Sequence, residues 1–292
     1  DDGVMFISID EREINNLTYI CEEIFGKENI CGSFIWHNRT VMSNSQNGFS
    51  QDHEYILICC KNIDLVHFQG RKKDLSVYKN PDNDPNGLWV KGRPCAPHNH
   101  GSCVYSITNP YTGEVYNPPR GRGWSFCKET LQDYIKTGKI VFPKKEGEMF
   151  YIKQYLSELR NVRVNRSSLI DGVYSFKGTK ELREIFHECG NIFTYPKPTE
   201  LIETVLDSII LEDDIVLDFF AGSGTTAHAV FNLEHKNNFI LIQQPELLNK
   251  ESDAHKIGIN NISDITKERI LRVGNKFPDR DTGFKVYKLK NC

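Results

Sequence analysis

A glycine-rich run, Gly222-Ser223-Gly224-Thr225-Thr226-Ala227, has the residue types and spacing of a ligand-binding turn. It follows Ile215-Val216-Leu217, an apolar run typical of a buried strand in a parallel sheet. Glycine gives the backbone room for a tight turn and for the close approach of a ligand, and the amides at a helix start bind polar or anionic groups. The pattern fits G-x-G-x-x-G/A, which leaves dinucleotide and S-adenosylmethionine sites unresolved, with a plain strand-to-helix turn as the structural alternative. The Gly-Lys-Ser/Thr of a P-loop is missing, which argues against ATP.

Predicted strands and helices surround this glycine-rich run and must position it. Apolar β-branched runs predict strands, and apolar residues at helical spacing predict helices. The predicted strands cover 4–9, 33–37, 54–60, 215–217, 238–243 and a short closing strand FKVYKL, 284–289. The predicted helices cover 14–25, 179–187, a segment entered at Pro198, and a last helix from Ser263, its N-cap candidate, through Ile270. The fold class is therefore α/β, with a βαβ unit around the glycine run.

The middle of the chain differs in composition from both ends. Residues 63–175 are rich in Gly, Pro, Asn and aromatic residues in short segments, which predicts an irregular inserted domain. Within it, VYSIT and EVYN flank Asn109-Pro110-Tyr111-Thr112-Gly113, an arrangement typical of a hairpin. Residues 1–62 and 176–292 are then the two halves of one α/β domain.

Composition excludes several classes of protein. At 292 residues, 39% of them hydrophobic, the chain is long enough for a sizeable core. It has no apolar run of 18 residues and begins without a basic leader, so we expect neither a membrane span nor a signal peptide. Nine cysteines, including Cys59-Cys60 in an apolar run, predict reduced thiols and a cytoplasmic location.

One cluster has soft metal ligands: Cys95, His98, His100 and Cys103. Its C-x2-H-x-H-x2-C spacing is tighter than the paired spacing of zinc sites, which favours a polar loop over a metal centre. No metal is expected.

Charge is unevenly distributed along the chain. The net charge is −3, yet residues 91–166 hold 13 Lys/Arg against 6 Asp/Glu, a net +7 that leaves −10 for the remainder. A basic centre between acidic flanks is typical of a DNA-contacting insert, with an ordinary solvated surface as the alternative. The candidate DNA-binding residues are Lys91, Arg93, Arg120 and Arg122.

Several segments occur in one recognisable order along nearly the whole chain: GVMFISIDEREINNL, KNPDNDPNGLW, NPYTGEVYNPPRGRGW, YPKPTELIETVL, DFFAGSGTTAHAV, FILIQQPE, DITKERILR and GFKVYKL. On these segments the chain resembles the modification subunit of type III restriction-modification systems, a β-group DNA methyltransferase acting on adenine N6. The resemblance implies S-adenosylmethionine as cofactor. It also implies a Rossmann-like methyltransferase sheet with helices on both faces, interrupted by an irregular α+β target-recognition insert.

The resemblance also assigns cofactor residues. It implies that the glycine loop wraps the methionine part of the cofactor and that Asp218 orients the cofactor. It also implies that Lys197 and Pro198, an adjacent motif, bind the cofactor. Relatives place an acid that binds the ribose hydroxyls where Gln243 stands here, so Glu246 is a nearby substitute for that contact. The implied cofactor-binding residues are Lys197, Pro198, Asp218, Phe220, Ala221, Gly222, Ser223, Gly224, Thr225 and Gln243.

The catalytic motif of this family, Asp/Asn-Pro-Pro-Tyr/Phe, does not occur in the sequence. The motif stacks a flipped adenine on its aromatic ring and hydrogen-bonds the N6 protons. Asn109-Pro110-Tyr111 has one proline, and Asn117-Pro118-Pro119-Arg120 has Arg in place of the aromatic residue, so both are interpreted as turns. The resemblance implies that this motif lies upstream of residue 1. Residues 1–62 are then an incomplete catalytic-side half of the methyltransferase domain, residues 176–292 are its cofactor-binding half, and no catalytic residue is assigned to this chain.

The resemblance further implies double-stranded DNA and a restriction subunit as partners, and allows a second modification chain. Two alternatives stay open. The first is a non-catalytic protein that recognises DNA and binds cofactor, either a subunit that works beside a chain with the missing motif or a relic. The second is an NAD-dependent oxidoreductase, which predicts an acid where Gln243 stands and leaves the basic insert unexplained.

Overall fold

The computed structural model describes residues 2–42, 48–97 and 101–288. Its strands are β1 (Val4–Ile9), β2 (Ile30–His37), β3 (His53–Cys60), β4 (Arg71–Lys72), β5 (Trp89–Gly92), β6 (Cys95–Ala96), β7 (Ile107–Thr108), β8 (Val115–Tyr116), β9 (Gly123–Trp124), β10 (Ile140–Val141), β11 (Tyr151–Tyr155), β12 (Arg163–Val164), β13 (Leu169–Ile170), β14 (Ile215–Asp218) and β15 (Asn238–Leu241). Its α-helices are α1 (Ile14–Phe25), α2 (Lys128–Lys136), α3 (Ser175–Ile185), α4 (Thr199–Leu206), α5 (Thr225–Asn232), α6 (Asp253–Lys256) and α7 (Ile262–Gly274). The chain divides into two compact units, Asp1–Arg71 with Asn165–Cys292, and Lys72–Val164.

A four-stranded sheet with the order β1-β3-β2-β13 forms one part of the first unit. Strand β3 is antiparallel to both β1 and β2, and β13 is parallel to β2. Side chains alternate along β3, so Leu57 and Cys59 pack against Cys21 of α1. Ile56 and Ile58 face the opposite way and pack with Leu201 of α4. The sheet therefore carries helices on both faces, as the family resemblance implies.

The glycine run lies in a βαβ unit. Strands β14 and β15 are parallel, with Ile215 opposite Asn238, and α5 is the helix of the crossover between them. Ala227 and Ala229 of α5 are fully buried, which allows neighbouring elements to approach the helix closely. Ile215 and Leu217 are 63% and 54% exposed, so the predicted burial of this strand is wrong: side chains alternate, and only the Val216 face packs against the core. Together with the four-stranded sheet, this unit still confirms the predicted α/β fold class.

The second unit is small and mostly irregular. It contains the antiparallel sheet β10-β11-β5 and the two-stranded pairs β6-β9 and β7-β8. The predicted hairpin is confirmed, because Ile107 pairs with Tyr116 and Thr108 with Val115. Its core is aromatic: Phe150 is 1% exposed, and its ring lies 5.2–5.5 Å from three other aromatic rings.

The unit boundaries lie inside the segment 63–175 that composition sets apart. Residues at both ends of that segment pack with the first unit. The Gln69 N–H donates to the Ser208 carbonyl at 2.6 Å, and β13 pairs with β2. Composition identifies the irregular segment, but it does not show the backbone hydrogen bonds that attach both ends of the segment to the first unit.

Two local predictions are wrong. The N-cap of α7 is Asn261, whose side chain accepts from the Asp264 N–H at 3.0 Å, and not Ser263. Residues 284–288 of the predicted closing strand form no strand, and its last residue, Leu289, lies outside the described residues. Val286 and Tyr287 are 58% and 82% exposed, so this alternating pattern has no sheet surface to cover. Within the described ranges, no helix has the length and apolar character needed to cross a membrane.

Truncating Phe150 tests the aromatic core of the second unit. Phe150→Ala removes a buried ring and leaves a cavity, so we expect a loss of about 3–5 kcal/mol in the free energy of unfolding. Denaturant unfolding followed by aromatic circular dichroism measures it. Met149→Ala, at a neighbouring side chain that is 48% exposed, is the control and should cost far less. Equal effects of the two variants would contradict this description of the core.

Candidate functional site

The glycine loop, residues 218–225, joins the end of β14 to the start of α5. Gly222 and Gly224 have φ values of 52° and 79°, in the left-handed region that favours glycine. A Cβ on Gly224 would also lie 3.2 Å from the Thr266 carbonyl oxygen of α7. Backbone conformation and close packing therefore both require glycine here.

Asp218 ties the two ends of this loop together. Its Oδ1 accepts from the Phe220 N–H at 3.0 Å, and its Oδ2 accepts from the Thr226 hydroxyl at 2.6 Å. Its backbone carbonyl accepts from the Ile242 N–H at 2.8 Å. The carboxylate therefore fixes the path of the chain from the strand to the helix.

Gln243, just after β15, also contacts the loop. Its Oε1 accepts from the Gly222 N–H at 2.7 Å, and its Nε2 donates to the Gln244 carbonyl at 3.0 Å. A carboxylate at this position would lack the second bond, because it has no N–H to donate. The side chain of Glu246 is exposed.

The N–H groups of the loop are largely occupied by protein acceptors. Besides the bonds of Phe220 and Gly222, the Ala221 N–H donates to the Ile242 carbonyl at 3.1 Å, and the Gly224 N–H donates to the Ala221 carbonyl at 2.7 Å. These four N–H groups are therefore hydrogen-bonded within the protein, and the protein itself fixes the conformation of the loop.

Lys197 and Pro198 lie directly beside the loop. The Lys197 carbonyl accepts from the Thr225 hydroxyl at 3.2 Å. Its ammonium pairs with Glu54 at the start of β3 and lies 4.7 Å from the centre of the Trp36 ring. Pro198 is the N-cap of α4, so it stands at a helix entry as the sequence predicts. The structure brings the predicted cofactor residues together in one place.

Helix α3 packs against the segment that contains Lys197 and Pro198. A Cβ on Gly178 would lie 2.3 Å from the Pro196 carbonyl oxygen, so the helix backbone touches the segment directly. Glu181 Oε2 accepts from the Thr199 N–H at 3.1 Å and from its hydroxyl at 2.6 Å. This carboxylate satisfies free donors at the start of α4.

Sequence reasoning missed a buried Arg269 on α7. It is 0% exposed and contacts side chains of the loop, of α4 and of α5. One signal could have identified it, because Arg269 lies four residues from both Ile265 and Val273 and therefore on the apolar face of the helix. A charge on that face indicates a buried partner.

His228 of α5 lies in the same cluster. Its Nδ1 is 3.2 Å from both the Thr199 hydroxyl and Arg269 Nη2. Because the guanidinium can only donate, this nitrogen accepts and carries no proton. Burial, and next the nearby charge of Arg269, lower the pKa of His228 to about 3.

The predicted DNA-binding residues all belong to the second unit. Each of the four is exposed, and none is ion-paired with a carboxylate among the described residues. Lys91 Nζ lies 4.6 Å from the centre of the Tyr151 ring. Another basic residue of this unit, Lys153, is committed internally: it is 5% exposed and paired with Asp82 and Asp84.

The two proline motifs lie in turns. Asn109 is 1% exposed, its Nδ2 donates to the Tyr116 hydroxyl at 3.0 Å, and its Oδ1 accepts from the Tyr111 N–H at 2.9 Å. The Asn117 amide oxygen accepts from the Ser106 hydroxyl at 2.7 Å. Of the candidate zinc ligands, His98 and His100 lie outside the described residues. Within the described part of the chain, no group of three or more His, Cys, Asp or Glu is arranged to hold a metal.

The partly buried His228 predicts a pH dependence. His228 is neutral in the folded protein down to a pKa of about 3, whereas it protonates near its ordinary value of 6.5 when unfolded. Its stabilising contribution is thus present above pH 6.5 and is lost as the pH falls. Between pH 7 and pH 5 we expect the free energy of unfolding to drop by about 2 kcal/mol from this residue.

Denaturant unfolding at several pH values measures this drop. His228→Gln should flatten the curve between pH 7 and pH 5, while His187→Gln, at a side chain that is 84% exposed, should leave it unchanged. A His228→Gln curve as steep as that of the wild type would refute this assignment.

Several known proteins are similar to this chain. The sequence profile described as DNA methylase matches residues 1–262. The chain is 33% identical to the Mod subunit of the type III restriction-modification enzyme EcoP15I of Escherichia coli, over 99% of this chain and 50% of the relative. It is 32% identical to the StyLTI Mod subunit of Salmonella typhimurium, over 99% of this chain and 46% of the relative. It is 29% identical to the type II methyltransferase M.KpnI of Klebsiella pneumoniae, over 99% and 73%.

The chain spans about half the length of the two Mod subunits. Among solved structures, the M1.HpyAVI–SAM complex has a TM-score of 0.38 at 17% identity, covering 92% of this chain and 75% of that one. The S-adenosyl-L-methionine complex of TTHA0409 from Thermus thermophilus has a TM-score of 0.39 at 14% identity, covering 96% and 71%. On the profile match over most of its length, the chain belongs to the DNA methylase family.

Proposed function

We propose that the glycine loop binds S-adenosylmethionine, and that the chain supplies the cofactor-binding and DNA-recognition parts of a methyltransferase acting on adenine N6 in double-stranded DNA. In this proposal the whole protein is the modification subunit of a type III restriction-modification system and works with a restriction subunit. Family membership and the names of the relatives support it.

The observation that carries the cofactor assignment is the DNA methylase profile match, which covers residues 1–262 and therefore the whole loop. A dinucleotide pyrophosphate needs free N–H groups at such a loop. Here the N–H groups of Phe220, Ala221, Gly222 and Gly224 all donate to protein acceptors. S-adenosylmethionine has no phosphate and does not need these four N–H groups, so the preformed loop is compatible with it.

In this function the residues of the chain bind and orient. The loop backbone encloses the methionine part of the cofactor, and Asp218 and Gln243 hold the loop at its two sides. Lys197 and Pro198 form the neighbouring wall. S-adenosylmethionine supplies the methyl group when it is bound. Because no Asp/Asn-Pro-Pro-Tyr/Phe motif occurs in the sequence, we assign no residue of this chain to holding the adenine amine that accepts the methyl group.

The basic second unit supports DNA as the partner. Its candidate residues Lys91, Arg93, Arg120 and Arg122 are exposed, so their charges are available to phosphates. Internal pairing instead uses Lys153, and Lys139 pairs with Glu158. The charge excess of this segment is therefore partly structural, and the four exposed side chains are the part that suits a nucleic acid.

Calorimetry with S-adenosylmethionine and with NAD tests the cofactor. We expect the wild-type chain to bind S-adenosylmethionine and not NAD. Asp218→Ala should weaken binding at least tenfold, because the loop loses its tie to the strand end. Asp214→Ala is the matched control, since its carboxylate holds the Leu211 N–H at the other end of β14, and it should leave affinity unchanged. Binding of NAD alone would overturn the proposal.

The salt dependence of DNA binding tests the partner. Affinity for a mixed-sequence duplex should fall steeply as salt rises, since phosphate contacts release counterions. Arg120→Ala with Arg122→Ala should lower the magnitude of the logarithmic salt slope by about 0.9 for each phosphate that the variant no longer neutralises. Lys180→Ala, at an exposed lysine of α3, is the control and should not change it. A wild-type affinity independent of salt would argue against DNA binding by this unit.

A further inference from the structure

Arg269 makes hydrogen bonds to three different parts of the cofactor site. Its Nη1 donates to the Ser223 hydroxyl at 3.1 Å and to the Thr225 hydroxyl at 2.8 Å, both in the glycine loop. Its Nη2 donates to the Thr199 hydroxyl at 3.0 Å and to His228 Nδ1 at 3.2 Å. One buried guanidinium therefore connects the loop, the start of α4 and helix α5.

This arrangement is not explained by net stability. Removing a guanidinium from water is costly unless it is closely paired and fully hydrogen-bonded. The nearest carboxylate oxygen, on Glu181, is 3.6 Å away, and Nε has no hydrogen-bond partner among the described residues. What the side chain does provide is a rigid fork of donors that fixes the relative positions of its acceptors.

Helix α7 holds the loop at a second point. The Thr266 hydroxyl donates to the Gly222 carbonyl at 2.6 Å, and the Thr266 backbone lies against Gly224. Thr266 and Arg269 are three residues apart and therefore lie on one face of the helix. That face contacts the loop from Gly222 to Thr225.

We propose that Arg269 is a positioning residue for the cofactor: it holds Ser223 and Thr225 against Thr199, and so sets the loop conformation that S-adenosylmethionine binds. The inference rests on the proposed function of the loop. Arg269 touches neither the cofactor nor a reacting group in this proposal. Its effect is carried by the two loop hydroxyls and by the segment that contains Lys197 and Pro198.

The remaining partners keep other bonds when the guanidinium is removed. The Thr199 hydroxyl still donates to Glu181, the Ser223 and Thr225 hydroxyls are 3.3 Å apart, and Thr225 also donates to the Lys197 carbonyl. Arg269→Met, which is unbranched and apolar, is therefore expected to fold. Arg269→Lys keeps the charge and some donors but cannot reproduce the planar fork.

Calorimetry separates positioning from stability, because the dissociation constant reports affinity and the stoichiometry reports the folded, competent fraction. We expect Arg269→Met to bind S-adenosylmethionine at least tenfold more weakly with unchanged stoichiometry, and Arg269→Lys to recover part of the loss. Arg280→Met is the matched control: Arg280 caps the other end of α5 through the Phe231 and Leu233 carbonyls. It should lower the melting temperature and leave affinity unchanged.

Wild-type affinity in Arg269→Met, or a fall in stoichiometry alone, would overturn the inference. If Arg269→Met does not fold, Arg269→Lys decides, since severalfold weaker binding at a near wild-type melting temperature supports positioning and unchanged affinity refutes it. A ligand-free readout separates this inference from the proposed function: amide hydrogen exchange across residues 219–225 should be faster in the Arg269 variants. If the wild type binds no S-adenosylmethionine, the proposed function fails, and the exchange rates still show whether Arg269 fixes the loop.

Discussion

The left-handed turn at Gly222 and Gly224 is the constraint around which the first unit is organised. A chain that leaves a strand and enters a helix in so few residues has unfavourable backbone geometry and exposes polar groups. Neighbouring elements satisfy those groups one by one: Asp218 from the strand, Gln243 from beyond β15, and Thr266 from α7. The loop is therefore stable only within this surrounding structure and has little shape of its own.

Much of this structure is predictable from local sequence. The glycine spacing, the apolar run before it and the small residues after it identify the loop, because turn, strand and helix signals all act within a few residues. The hairpin around Asn109 is predictable for the same reason. The absence of pairing at 284–288 is not, since alternation alone does not supply a sheet edge to pair with.

The contacts that fix the site lie beyond the reach of local patterns. The hydroxyl groups that Arg269 binds are 44 to 70 residues away in the sequence. Periodicity shows that a charge lies on the apolar face of α7, but it does not show which hydroxyl groups receive its hydrogen bonds. The boundaries of the two units also depend on distant contacts. Single backbone hydrogen bonds, such as that from the Gln69 N–H to the Ser208 carbonyl, attach the ends of the irregular segment to the first unit.

Gln243 shows how the protein itself shapes the loop. An acid at the end of the second strand would direct a charge at a ribose, whereas the amide of Gln243 holds Gly222 and Gln244 at once. Each such bond inside the protein reduces the ordering that a ligand must impose on binding, and it also removes a donor that a phosphate would use. The same bonds that preorganise the loop therefore commit four of its N–H groups to the protein, so a ligand meets a loop whose shape is already set.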